Sequence, residues 1–381
     1  MRIRRLVIVI LVLAGMIAIA LAGGGWYYSS QMLALPTADS AADPVAVVAL
    51  DAHGRTGTIT LTAGPGSAAR LSIVSGAQFE GGAFVRLSGP ARISGGQVTR
   101  SATLLSGSWP GRGATGQATE YGWPADPSVA LGATVTSLSV PGETGTIPLW
   151  FVPGTGTTYV VFVHGHGATR RESMNVLHDA VAAGLPAVAI EYRGAPEGPP
   201  APDHHVHFGL TEWRDLHTVV DYLRTQRGAQ HVLLAGYSMG GAVIAQFLKH
   251  SADSVMVTGL ILDAPLLDLH ATLRVQARAR SVPGLLISPL LTFAETFASW
   301  RASVDVDQLN AVPTLASSPL PILLFQGTQD TSVAISSSQD LARLGASHVT
   351  YHECVAAHVR CWNADPHAYD AAVAGFLRAH A

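Results

Sequence analysis

Cysteine is scarce in this chain of 381 residues. There are two, Cys354 and Cys361. Two cysteines cannot make a disulfide framework, and their spacing is not a zinc pattern. Charge is scarce too. Charged residues make up 13% of the chain against 48% apolar, and the formal net charge is −3. Without a basic excess the chain lacks the electrostatic footprint of a nucleic-acid binder. It is too apolar for a disordered chain and has ample material for a large core. The length suggests two domains, although a single α/β domain can itself exceed about 200 residues.

What is present begins at the N-terminus. Met1-Arg2-Ile3-Arg4-Arg5 is basic, residues 6–22 are uninterrupted apolar or small residues, and Trp26-Tyr27-Tyr28 follows Gly23 to Gly25. An apolar helix of about 20 residues spans a bilayer, and aromatic residues suit its far interface. The arginines precede the segment and no charge follows until Asp39, so the positive-inside rule puts the N-terminus in the cytoplasm and the remainder outside. Ala20-Leu21-Ala22 offers a cleavage site for the alternative, a removed signal peptide and a secreted protein. The apolar run is long for a signal peptide, which favours the uncleaved anchor. Either way the bulk of the chain lies outside the membrane, where Cys354 and Cys361 can close a small loop around His358.

Three textures follow. Residues 29–43 read as a linker. Residues 44–145 are rich in Gly, Ser, Thr and Val, with alternating runs such as Thr58 to Thr62 and Ala83 to Leu87 set apart by turn residues, which predicts short antiparallel strands and no amphipathic helix. From residue 146 onward, apolar runs at 159–163, 186–190, 231–235, 257–262 and 321–325 alternate with amphipathic patterns at 171–183, 211–226, 240–250, 335–344 and 364–379. Such alternation predicts an α/β fold with a mostly parallel sheet and helices on both faces. Residues 266–318 break the alternation and are expected to form a small helical cap. The expected division is a transmembrane signal anchor over 1–28, a linker over 29–43, a β-rich region over 44–145 and an α/β domain over 146–381.

In a sheet of this kind the site lies at the C-terminal strand ends, and the motifs fall there. Gly236-Tyr237-Ser238-Met239-Gly240 joins a strand to a helix, the setting that G-x-S-x-G requires to expose a nucleophilic serine. Gly236 and Gly240 relieve crowding around the sharp turn. His164-Gly165-His166-Gly167 follows the 159–163 strand. The backbone amides of His166 and Met239 are the candidate donors to an oxyanion. Asp330 ends Gln326-Gly327-Thr328-Gln329-Asp330 after another strand, with Asp263 as the competing acid. His358 is the last strand-end histidine, whereas His367 falls inside the terminal helix and Asn363 and Asp365-Pro366 read as its start. The cluster Asp203-His204-His205-Val206-His207 lies on a Pro/Gly-rich loop and reads as active-site rim rather than as a metal site. Glu212, Arg214 and Asp215 read as a helix's first turn with a surface ion pair. Glu212 is alternatively a group for a substrate amine.

The order Ser238, Asp330, His358, together with HGHG, GYSMGG, QGTQD and AAHV, resembles α/β-hydrolases of the serine-aminopeptidase and lysophospholipase-like group from Leu149 onward. The block Gly209 to Asp215 and the ending HVRCWN are similar to secreted or membrane-anchored actinobacterial members. The resemblance implies an α/β-hydrolase fold, a triad of Ser238, His358 and Asp330, and hydrolysis of a small-molecule ester through an acyl-enzyme with no metal or organic cofactor. The alternatives are a serine peptidase or amidase on the same triad and, in another class, a membrane-tethered binding protein without turnover. The resemblance does not reach residues 30–145.

Overall fold

A computed structural model describes residues 2–37 and 42–381. Its first element, α1 (Arg2–Leu33), has 32 residues and at 1.5 Å per residue exceeds the ~30 Å of a hydrocarbon core. It is long and apolar enough to cross a membrane, and a signal sequence would meet the same description. The expected linker differs from what is found. The helix runs on to Leu33, which is fully buried in the main core. The Leu33 carbonyl accepts the Val206 amide at 3.0 Å. The part of the expected linker at 38–41 lies outside the described residues.

Six strands follow: β1 (Pro44–His53), β2 (Thr56–Thr62), β3 (Ser75–Phe79), β4 (Phe84–Ser94), β5 (Gln97–Ser106) and β6 (Thr115–Thr119). They close an antiparallel barrel in the order β1-β2-β5-β4-β3-β6. Alternating residues such as Val45 and Val47, Ile59 and Leu61, and Val85 and Leu87 fill it. Closure leaves no free strand edge. Arg100 is buried against this barrel, donating to the carbonyls of Ala69 at 3.0 Å and Ile73 at 2.7 Å. Burial lowers its pKa to about 10.

After α2 (Pro127–Leu131), strand β7 (Thr136–Pro141) pairs antiparallel with β8 (Thr146–Val152). The large sheet therefore starts before the expected boundary at 146, and the β-rich region contributes one strand to it. Next come β9 (Thr158–Val163), α3 (Met174–Ala182), β10 (Ala187–Ile190), α4 (Trp213–Arg227), β11 (His231–Tyr237), α5 (Met239–His250) and β12 (Val257–Asp263). Three helices of the cap region follow: α6 (Leu269–Ala279), α7 (Gly284–Ala302) and α8 (Val312–Ala316). The chain ends with β13 (Ile322–Gly327), α9 (Ile335–Leu344), β14 (Val349–Cys354), α10 (Cys361–Ala364) and α11 (Pro366–His380).

The sheet has eight strands in the order β14-β13-β12-β11-β9-β10-β8-β7, parallel from β14 to β10. Every residue of β9, β10 and β13 is buried, as expected of strands covered on both faces, which read as unbroken apolar runs. Helix α11 starts where expected: Asp365 accepts the Ala368 amide and Pro366 occupies the first turn.

The reading of Glu212 and Asp215 as surface charges is corrected by the structure. Both are buried. Asp215 takes a two-pronged contact from Arg193, at 2.9 Å from Nε and 2.7 Å from Nη2. Glu212 accepts the amides of His207 and Gly209, each at 2.9 Å. Only Arg214 lies outward, facing Glu143. A buried carboxylate must be paired or hydrogen-bonded; Glu212 finds its partners in the loop just ahead of it, and Asp215 in Arg193, 22 residues earlier.

Candidate active site

Ser238 stands between β11 and α5 with φ 51° and ψ −120°. A positive φ is strained for a serine and persists only where its surroundings hold it. Three backbone bonds do so. The Ser238 amide donates to the Asp263 carbonyl at 3.0 Å, and its carbonyl accepts Gly241 N–H at 3.0 Å and Leu266 N–H at 2.8 Å. The turn also needs bare backbone beside it. A Cβ on Gly236 would meet the Gly240 carbonyl at 2.9 Å, and one on Gly240 would run into the carbonyl of Val163.

The serine hydroxyl is 2.8 Å from His358 Nε2. On the other side of the ring, His358 Nδ1 is 2.7 Å from Asp330 Oδ2. The second oxygen of Asp330 accepts the amides of Ser332 at 2.8 Å and Val333 at 3.1 Å. Gln326 Nε2 donates to Oδ2 at 3.0 Å. Burial alone would raise the pKa of Asp330, but the His358 hydrogen bond and charge and the two amides outweigh it and hold the carboxyl below its usual value. The histidine pairs with Asp330 rather than with Asp263, the competing acid. Its burial, with Glu172 nearby, pushes its pKa well up, and its Oδ1 has no hydrogen-bond partner.

The loop His164 to Gly167 lies beside the serine; a Cβ on Gly165 would stand 3.0 Å from Ser238 Cβ. Among the described residues, neither the His166 nor the Met239 amide donates to a backbone carbonyl. The loop is held from below by groups that motif reasoning missed. Glu172 accepts the Gly165 amide at 2.7 Å. The Tyr192 hydroxyl reaches the carbonyls of His164 at 3.2 Å and Gly165 at 3.1 Å. Glu191 is 2.9 Å from His164 Nε2 and accepts the Arg170 amide at 2.8 Å. Burial lowers the His164 pKa, but the pairing with Glu191 and its charge outweigh burial and hold it above the usual value. One sequence signal existed for Glu191 and Tyr192: they follow β10 directly, at a strand end like the other motifs.

Cys354 and Cys361 form a disulfide with 5.5 Å between Cα atoms, and it brackets His358. In the rim loop, His207 and His205 both face Asp203, at 3.1 and 3.4 Å. No group of three or more His, Cys, Asp or Glu residues among the described residues is placed to hold a metal ion. Glu212 is spent on backbone amides, so the alternative role as a group for a substrate amine does not fit its placement.

Residues 156–305 match the family model described as serine aminopeptidase, S33. An esterase from Pyrococcus furiosus, Pf2001, superposes with a TM-score of 0.53 at 20% identity, covering 66% of this chain and 95% of that one. The chain has the α/β-hydrolase fold. A carboxylesterase from Bacillus subtilis, CesB, aligns at 16% identity over 67% of this chain and 95% of its own, with a TM-score of 0.47. No curated protein matches the chain. The Pf2001 likeness concerns the fold; here the Ser238 turn follows β11, central in the sheet, and Asp330 and His358 follow β13 and β14 toward one edge.

Proposed function

We propose that this α/β-hydrolase is a serine hydrolase that cleaves carboxylic esters, tethered to a membrane by α1 with its catalytic part outside the cytoplasm. One observation carries the reading: the unbroken hydrogen-bonded chain from Ser238 Oγ through His358 to Asp330 at the C-terminal ends of the strands. His358 Nε2 takes the serine proton as Oγ attacks the ester carbonyl, and Asp330 fixes the imidazole tautomer and stabilises the imidazolium. The amides of His166 and Met239 receive the developing oxyanion; losing one such donor typically costs ~10²–10³ in rate. The imidazolium then gives its proton to the leaving alcohol. Water activated by the same histidine releases the acid. The chemistry requires only these groups and water.

The ester reading is favoured over a peptidase by the burial of Glu212, which leaves no obvious counter-charge for a peptide N-terminus at that position. The test is covalent labelling of the full chain by a fluorophosphonate, followed by peptide mapping, alongside a panel of nitrophenyl esters and aminoacyl amides. A single adduct on Ser238 that disappears in His358→Ala, with hydrolysis of esters, is the expected result. A folded Ser238→Ala protein that retained the full esterase rate would overturn the assignment.

A further inference from the structure

Helix α1 does more than lead away from the domain. Its C-terminal half lies along cap helix α7. Gly24 and Gly25 let the two backbones close: a Cβ on Gly24 would meet Leu290 Cδ1 at 2.8 Å, and one on Gly25 would collide with Phe293. Trp26 stacks edge-on to Phe297 with centroids 5.5 Å apart, and the Arg301 guanidinium sits 4.5 Å above the Trp26 ring. Arg301 Nη1 donates to the hydroxyls of Ser29 at 3.1 Å and Ser30 at 2.8 Å. The contacts advance together along both chains, so the helices run in the same direction. The first turn of α7 therefore lies level with the part of α1 that precedes Gly24, which is its apolar run.

That first turn is built for an apolar surrounding. From Gly284 to Ala294 the helix carries no charge. Leu285 is 94% exposed and Leu286 43%. Two adjacent exposed leucines beside a helix of bilayer length extend the same apolar surface.

Between the two helices and α6 lies a cavity of about 110 Å³. Its walls are apolar at Met32, Leu273, Ala277 and Leu291, with Gln31, Gln276 and Arg280 as the polar groups. Hydrogen-bonded links lead from both walls to the candidate site. On one side, the chain leaving α1 passes Leu33 to Ala34, which pairs with His205 and whose carbonyl faces the His166 ring. On the other side, Gln276 Nε2 donates to the Ser332 carbonyl at 3.0 Å, and the Ser332 amide donates to Asp330 at 2.8 Å.

We propose that α7 and α1 seat together in the membrane surface and that the cavity between them receives the acyl chain of an ester dissolved in the bilayer. The assignment of the occupant as a substrate rests on the serine-hydrolase reading above; the seating of α7 does not.

The test uses the full chain reconstituted in phosphatidylcholine vesicles. Nitrophenyl acetate in solution is compared with nitrophenyl palmitate dissolved in the vesicles, for the natural protein and for the double variant Leu285→Glu, Leu286→Glu. The variant is expected to lose at least tenfold of its rate on the palmitate and to stay within about twofold on the acetate. In parallel, a fluorophore attached through Leu285→Cys should be quenched by brominated acyl chains. Equal rates of variant and natural protein on the palmitate would overturn the entry route, and an unquenched probe would overturn the seating. If the natural protein cleaves neither ester, the hydrolase reading fails and with it the substrate assignment, while the quenching result still decides the seating.

Discussion

Asn363 holds Val74 by two hydrogen bonds, accepting its amide with the backbone carbonyl at 2.7 Å and donating from Nδ2 to its carbonyl at 2.8 Å. The same Nδ2 reaches the Glu120 carbonyl at 2.9 Å. Asn363 belongs to α10, directly after the loop that carries His358, whereas Val74 and Glu120 flank β3 and β6 of the barrel. Arg86 adds a stacked layer, its guanidinium 4.1 Å from the Trp123 ring and 5.4 Å from that of Trp362. The barrel thus braces the segment that positions the histidine. Asn363→Ala leaves the buried Val74 carbonyl and the part-buried Glu120 carbonyl without this donor and is expected to lower stability by about 1–3 kcal/mol, measured by urea unfolding, with a several-fold fall in kcat on nitrophenyl acetate.

Asp330→Asn keeps the shape of the acid but removes the charge that fixes the His358 tautomer. A fall in kcat on the order of 10⁴ is expected, with KM little changed. The measurement is steady-state kinetics on nitrophenyl acetate. A fall of less than tenfold would mean that another group orients the ring.

Reduction of the Cys354–Cys361 bond should act on the same histidine. The two residues are seven apart in sequence, and a closed loop this short constrains the unfolded chain by roughly 2–3 kcal/mol. Dithiothreitol, or Cys354→Ser with Cys361→Ser, is expected to lower the melting temperature and the esterase rate together. Unchanged activity in the fully reduced protein, verified by thiol titration, would show that the loop keeps His358 in place without the bond.

Stability should also depend on pH through Asp370. Its burial and the neighbouring Asp179 raise its pKa to about 6, against an ordinary value near 4, although it accepts Trp362 Nε1–H at 2.8 Å. A carboxyl raised in the folded state binds its proton more tightly there than in the unfolded chain. Its contribution to stability is therefore greatest below about pH 4, declines as the pH rises to about 6, and stays low above it. Asp370→Asn keeps an acceptor for Trp362 and does not titrate. It should be the more stable protein at pH 7.5, with the advantage gone by pH 4, as followed by thermal unfolding at the two values.

Asp215→Ala strips the two-pronged partner from Arg193, whose side chain is 4% exposed, and leaves Glu143 as its remaining carboxylate contact. Breaking a buried pair from one side typically costs 3–5 kcal/mol. Chemical denaturation should show a loss of about that size.

How far the sequence speaks differs from place to place. The large sheet was legible because its central strands are buried on both faces and leave apolar runs such as Tyr159 to Val163. The positions of Ser238, Asp330 and His358 were legible because each follows such a run. The Ser238–His358 contact spans 120 residues and emerges only on folding. The burial of Glu212 and Asp215 was not legible, since a carboxylate at a helix's start looks the same whether it faces water or a buried loop. Closure of the barrel was also hidden: alternation in β1 to β6 predicts strands with one wet face, but no local pattern states that β1 returns to β6. The packing of α1 on α7 depends on a glycine pair that, read along the chain, looks only like the end of an apolar run.

Every contact of α1 with the cap described above lies at or after Gly24, and the small-residue motif Ala20-Leu21-Ala22 ends just ahead of it. Cutting the chain there would remove the apolar run and leave a short N-terminal arm with its grip on α7 intact. These contacts with the cap thus suit both a chain that keeps the apolar run and one cut behind it, and the two would differ in access to bilayer lipid rather than in fold.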